Sequence, residues 1–208
     1  MKIIICVVTK NKALNTTTLH TVMNLNMICM SKNITLDVQF VNDRESIHKY
    51  IKNCDRFIFL DYGVSVGLDV IQKLGVDDFP EGYKALVVPC VTDNVNWDQF
   101  KKKTLEKSSE PVNQRALTFD IVTEPAPKKY GDAIYDFVSS STDCRVFALD
   151  CKGILKKLRD ADAHFKSFEQ LKKIGIKIGV LRSAPVICHY VYECIGNILD
   201  STGVKAVQ

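Results

Sequence analysis

The stretch Asp55-Arg56-Phe57-Ile58-Phe59-Leu60-Asp61-Tyr62-Gly63 constrains the fold most. Its four consecutive apolar residues, Phe57 to Leu60, predict a strand covered on both faces. Such strands belong to parallel sheets packed between helices. The run stops on a carboxylate, Asp61, with Gly63 just beyond. In open α/β sheets ligands bind in the crevice outside the carboxyl ends of the strands. An acid delivered there by a rigid strand can hold a divalent cation and, through it, a diphosphate. The competing reading makes Asp61 the cap of a helix that starts near Val64.

The flanking chain repeats this pattern. Lys2 to Val8 is a β-branched apolar strand, and Leu19, Val22, Met23, Leu25, Met27 and Met30 then recur at roughly helical spacing behind Thr16 to Thr18. Ile34 to Val41 predicts a second strand ending in Asn42-Asp43, Glu45 to Lys52 a short amphipathic helix, and Val64 to Leu74 a third helix. The β-α-β-α-β-α alternation predicts a doubly wound, Rossmann-like sheet, mixed but mostly parallel, with helices on both faces. Further strands are predicted over Ala85 to Val91, Ala116 to Val122, Arg145 to Leu149, Ile176 to Val180 and Val186 to His189. Helices are predicted over Asn96 to Lys107, Ile154 to Ala161, Phe165 to Ile174 and Tyr190 to Leu199, and Tyr130 to Ser141 reads equally as helix or loop.

With 208 residues, 46% of them hydrophobic and 25% charged, the chain fits one globular domain over residues 1–208, and its last residues would also suit the N-terminal domain of a longer polypeptide. A net charge of +4 suits a small anionic ligand and is too weak for a committed nucleic-acid binder. Of eight cysteines, Cys6, Cys29, Cys90 and Cys188 lie in apolar runs and no Cys-x-x-Cys occurs, so reduced thiols of an intracellular, cytoplasmic protein are expected. The longest apolar run, Ile3 to Val8, is too short to span a bilayer.

The turn after the first strand, Thr9-Lys10-Asn11-Lys12, contains no glycine, which argues against a P-loop and a dinucleotide fingerprint. The polar strand tips left to carry chemistry are Thr9, Lys10, Asn42, Asp43, Asp61, Asp150, Asp160, Asp162 and His189. Carboxylates with one imidazole suit Mn²⁺ or Mg²⁺. Asp77 and Asp78 are a second acidic pair, for which a solvated turn before Pro80 is the favoured reading.

In this order the parts resemble the GT-A glycosyltransferases, nucleotide-sugar-dependent enzymes built on one Rossmann-like sheet. Phe59-Leu60-Asp61-Tyr62-Gly63 is similar to that family's Asp-x-Asp strand, Val7-Val8-Thr9 and Phe40-Val41-Asn42-Asp43 to the strand ends over the nucleoside, and Val186-Ile187-Cys188-His189 to the strand whose histidine completes the metal shell. Asp160-Ala161-Asp162 with Lys172 to Ile178 resembles the acceptor-side segment. With Ala85 to Phe100, the whole looks similar to compact glycosyltransferase domains encoded by chlorella viruses.

The resemblance implies transfer of a hexose or deoxyhexose from a UDP-sugar to a glycan acceptor, in viral glycoprotein glycan synthesis within the host cytoplasm, with no nucleic acid and no stable membrane insertion. It implies a cation on Asp61 and His189, or on Asp77 and Asp78 because Gly63 replaces the second Asp of the motif. It implies nucleotide contacts from Thr9, Lys10, Asn42, Asp43, Arg56, Tyr62 and Gly63. For an inverting reaction it implies Asp162 or Asp150 as the base; a retaining reaction needs none. Plainer roles compete throughout: helix caps for Asp162 and Asp43, a core position for His189, and core for Trp97. A sugar-nucleotidyltransferase and a non-catalytic nucleotide-sugar-binding domain are the alternative functions.

Overall fold

The computed structural model describes residues 1–11, 13–44, 47–92, 95–112, 115–121, 129–130, 134–136, 144–160, 168–181 and 186–188. The first half runs β1 (Lys2–Val8), α1 (Thr16–Ser31), β2 (Thr35–Val41), α2 (His48–Ile51), β3 (Arg56–Leu60), β4 (Val64–Val66), α3 (Leu68–Gly75) and β5 (Tyr83–Val88). It continues with α4 (Trp97–Leu105), β6 (Lys129–Tyr130), β7 (Ile134–Asp136), β8 (Val146–Asp150), α5 (Cys151–Asp160), α6 (Phe168–Lys173), β9 (Lys177–Leu181) and β10 (Val186–Cys188).

Eight strands form one mixed sheet in the order β2-β1-β3-β8-β5-β9-β7-β6. β1 is parallel to β2 and β3, and β5 is parallel to β9. β8 fills the place between β3 and β5, antiparallel to both. Side chains alternate across a strand, so a strand that is apolar throughout needs cover on both faces. Ile3, Ile5 and Val7 face the layer made by Val22, Leu25, Val70 and Leu74 of α1 and α3. Ile4, Cys6 and Val8 face Ile51, Ile154, Phe168 and Leu171 of α2, α5 and α6. On that second face Phe147 of β8 stacks on Phe59 at 5.1 Å and meets Phe168 edge-on at 5.1 Å, which knits the late strand to the early ones.

The structure corrects several expectations. Val64 to Val66 is not helix but β4, paired antiparallel with β10; α3 starts only at Leu68, with Gly67 as its N-cap, so Asp61 does not cap it. The β-branched Val64 and Val66 are held extended by α1, whose Thr18 and Thr21 hydroxyls donate to their carbonyls at 2.8 and 3.3 Å. Of the strand expected over Ala116 to Val122, the described residues Ala116 to Ile121 form none; they make an isolated bridge between Phe119 and Val91 and backbone hydrogen bonds with Cys90, Thr92 and Asn96. Residues read as helix or loop around Tyr130 contribute the small hairpin β6–β7. α2 begins at His48, too late for Asp43 to cap it. Tyr190 to Leu199, and the site candidates Asp162 and His189, lie outside the described residues.

Candidate functional site

Parallel β1, β2 and β3 deliver their carboxyl ends to one rim. Thr9 continues the ladder, its N–H donating to Val41 O at 2.8 Å, and its hydroxyl donates to Asn42 Oδ1 at 3.2 Å. The next residues turn back tightly: Lys10 and Ala13 exchange backbone hydrogen bonds of 3.2 and 2.8 Å around Asn11, which has φ +52°. That turn projects Lys10, whose ammonium lies 5.0 Å from the centre of the Tyr62 ring. After β3 the chain turns at Gly63, whose φ of +71° is left-handed and favours glycine over a second aspartate. Asp43 is exposed at the end of β2.

The rim also receives two residues that the sequence reading passed over. Because β8 runs antiparallel, its first end lies beside the last residue of β3, and Arg145 reaches Asp61. Arg145 Nε donates to Asp61 Oδ2 at 3.2 Å, Nη2 to Tyr62 O at 2.9 Å and Nη1 to Val91 O at 3.2 Å. Asp61 Oδ1 accepts the Tyr62 N–H at 2.7 Å, and the Asp61 N–H donates to Arg145 O at 2.9 Å. Beneath this pair the buried Asp120 accepts from the Cys90 and Arg145 N–H groups, both at 2.8 Å. Burial pushes the Asp120 carboxyl above its ordinary range, against those two hydrogen bonds, which pull it down. Arg44 lies over the Phe59 ring at 4.9 Å and donates to Cys144 O. Lys10, Arg44 and Arg145 thus bring three cations to the end of the sheet where Asp43, Asp61 and Asp120 bring three acids.

Four of the candidate residues lie elsewhere. Arg56 opens β3 and pairs in register with Asp150, which closes the antiparallel β8, so both sit at the opposite edge from Asp61. Arg56 is buried: Nη1 donates to Leu74 O at 3.0 Å and Asp77 O at 3.3 Å, and its guanidinium lies 3.6 Å from the centre of the Phe79 ring. Desolvation pushes its pKa down from the ordinary arginine value. Asp150 is held by Lys84 Nζ at 2.7 Å and accepts the Gly153 N–H at 3.4 Å at the start of α5. Asp77 accepts from Gln72 Nε2 at 3.2 Å, and Asp78 follows it past the end of α3, back at the starts of the strands. Arg56 opens the very strand that leads to Asp61, antiparallel β8 carries Asp150 to that same far end, and the return of α3 across the sheet does so for Asp77 and Asp78, so none of them meets Asp61. Trp97 is also not core: it is half exposed at the start of α4, edge-on to Phe100.

Whether the rim can hold Mn²⁺ or Mg²⁺ is a question of donors. Among the described residues no group of three or more His, Cys, Asp or Glu side chains converges. Asp61 already spends one oxygen on Arg145 and the other on the Tyr62 N–H. Each of those oxygens keeps a second lone pair, so the described residues offer a cation the Asp61 carboxylate, and His189, the partner expected for it, lies outside the described residues. Among the described residues no helix is long and apolar enough to cross a membrane.

No family model matches the sequence, and no curated protein matches it. Among solved structures the chain is similar to a Drosophila beta-1,4-galactosyltransferase 7 mutant in complex with manganese, UDP-Gal and xylobiose, at TM-score 0.40 and 10% identity over 86% of this chain. It spans 64% of that chain, just under two-thirds of its length. It is also similar to the inositol-1-phosphate CTP transferase from T. maritima, at TM-score 0.41 and 8% identity over 98% of this chain and 97% of that one. Likenesses this distant carry no argument about chemistry.

Proposed function

We propose that this chain is a glycosyltransferase that binds a UDP-sugar at the rim and transfers its hexosyl or deoxyhexosyl group to a glycan hydroxyl. The observation that carries the reading is the convergence of three parallel strand ends, with Thr9-Lys10, Asn42-Asp43 and Asp61-Tyr62, on the place where open α/β sheets bind ligands. Thr9 and Asn42 offer hydrogen-bonding partners to a nucleoside. Lys10 sets a cation where the leaving diphosphate gathers charge, and a positioned cation stabilises such charge without reorganising during the reaction. Arg145 fixes the Asp61 carboxylate and the Tyr62 carbonyl, so the floor of the site is preorganised.

The other transferase reading, nucleotidyl transfer, is favoured less. The Lys10 and Ala13 N–H groups are spent on each other's carbonyls, which leaves this turn a poor cradle for a triphosphate.

Thermal unfolding with UDP, UDP-glucose, CTP and buffer, each with and without Mn²⁺, tests the proposal. Ligand at about a hundred times its Kd is expected to raise Tm by about 5 °C or more. UDP and UDP-glucose should give that shift, and Lys10→Ala should remove most of it. An increment that needs Mn²⁺ and is lost in both Asp61→Ala and His189→Ala would assign a cation to that pair. A shift with CTP alone would favour nucleotidyl transfer, and no shift with UDP or UDP-glucose in either condition would overturn the reading. Equal UDP-glucose hydrolysis by wild type and Asp61→Ala would remove Asp61 from the chemistry.

A further inference from the structure

We infer that two copies of this chain associate about a two-fold axis, joining their sheets edge to edge at β2 and packing their α1 helices against each other. The inference is independent of what the rim binds. β2 closes one end of the sheet order, and no described strand pairs with its outer side. It is seven residues long, without proline or lysine, and such an edge is a template for another strand.

The helix above this edge is unusual. α1 carries no Asp, Glu, Lys or Arg in sixteen residues. One side of it, with Thr21 bonded to Ser65 and Val66, faces β4. On another side Leu19, Met23, Met27 and Met30 stand in water, Met27 at 66% and Met30 at 73% exposure. At 100° per residue this stripe is centred well over 90° round the helix from the buried Thr18, Thr21, Val22, Leu25 and Cys29, so it points away from β4 and α3. The strand beneath the helix adds apolar side chains of its own. In register with β1, Leu36, Val38 and Phe40 pair with Ile3, Ile5 and Val7, so they share the face that α1 covers, and Phe40 is 56% exposed. Leu19, the three methionines and Phe40 leave on the order of 500 Å² of apolar side chain uncovered, more than half of the ~800 Å² that each partner of a stable dimer buries.

The charge pattern of β2 is compatible with a second copy as the occupant, and it selects one register for the pair. An antiparallel pair of β2 strands centred on Val38 sets Leu36 opposite Phe40 of the other copy and Asp37 opposite its Gln39. Asp37 already accepts from Gln39 Nε2 within its own strand at 2.6 Å, so the two are compatible neighbours. Centring on Asp37 would put two carboxylates face to face, which destabilises a strand pair. In the favoured register both α1 helices lie on one face of the joined sheet, and their uncharged stripes meet without like-charge repulsion. Such a contact is isologous and closes at two chains.

Sedimentation equilibrium and light scattering over micromolar to millimolar protein test the inference. The full chain should show a monomer–dimer equilibrium. Phe40→Lys and Met27→Lys, both at exposed positions, should each raise the dimer Kd by about tenfold or more while leaving the thermal unfolding of dilute monomer unchanged. Val38→Cys should form an intermolecular disulfide under mild oxidation, whereas wild type should not. A monomer at every concentration, or a dimer insensitive to both lysine variants and uncrosslinked through residue 38, would overturn it.

Discussion

Both edges of the central sheet carry clusters of charge, yet they differ in what the charges do. At the amino edge of the parallel strands Arg56, Asp150 and Asp55 serve the fold. Arg56 lies buried against the last carbonyls of α3, Asp150 is held by Lys84, and Asp55 accepts the Lys2 N–H at 2.8 Å and pairs with Lys152 at 2.9 Å. At the carboxyl edge Arg145 and Asp120 build a floor, and above it Lys10 and Asp43 project toward solvent. A charged residue near a strand end is thus no evidence of a site until the direction of its strand is known.

The largest effect that separates the edges is expected at Arg56. Arg56→Ala would strip the α3 carbonyls of a buried charged donor and leave Phe79 unstacked. It should cost about 3 kcal/mol in urea unfolding and leave UDP binding per folded molecule unchanged. A loss of UDP affinity without loss of stability would reverse the roles assigned to the two edges. Next comes Asp120→Ala, which orphans the buried Cys90 and Arg145 N–H groups. A destabilisation of about 2 kcal/mol is expected, together with weaker UDP binding because the Arg145–Asp61 pair loses its support. At the rim surface Asp61→Asn should change stability by less than about 1 kcal/mol, since the pair it breaks is only partly buried, while altering UDP-glucose turnover about tenfold or more.

The smallest effect belongs to Asp55. Lys152 and the Lys2 N–H hold its carboxyl below the usual carboxylate range. A lowered folded-state pKa means that its stabilisation is present above the ordinary value and fades as pH falls through the lowered one. Carboxyl NMR should find Asp55 titrating low in wild type and moving back up in Lys152→Met, with no effect on the rim.

Much of the architecture could be read from the sequence because apolar periodicity encodes burial. The both-faces-apolar runs at Lys2 to Val8 and Phe57 to Leu60 located β1 and β3, and the polar residues behind them marked the rim. Strand direction was not legible. Val146 to Leu149 is as apolar as Phe57 to Leu60, and nothing in its composition distinguishes an inserted antiparallel strand from a parallel one. That ambiguity set Asp150 beside Asp61 in the sequence reading and hid Arg145, whereas Arg56 opens the strand that leads to Asp61 and its place at the far end was already legible. Val64 to Val66 was misread for a related reason: its extended state depends on hydrogen bonds from Thr18 and Thr21, far away in the chain. Asp120 went unnoticed because its value lies in two backbone donors brought to it by tertiary structure.

The insertion of β8 also bears on how the chain assembles. As it leaves the ribosome, β1, β2, β3 and β5 are complete by residue 88, but the strand that joins β3 to β5 is not made until residue 150. Until then the nascent sheet has a missing middle, with two apolar edges waiting for Phe147 and its neighbours. Contacts this distant in sequence slow folding and prolong the exposure of sticky edges. Any interruption of synthesis between those two points would release a species with its central seam open, the form of this molecule most in need of a chaperone.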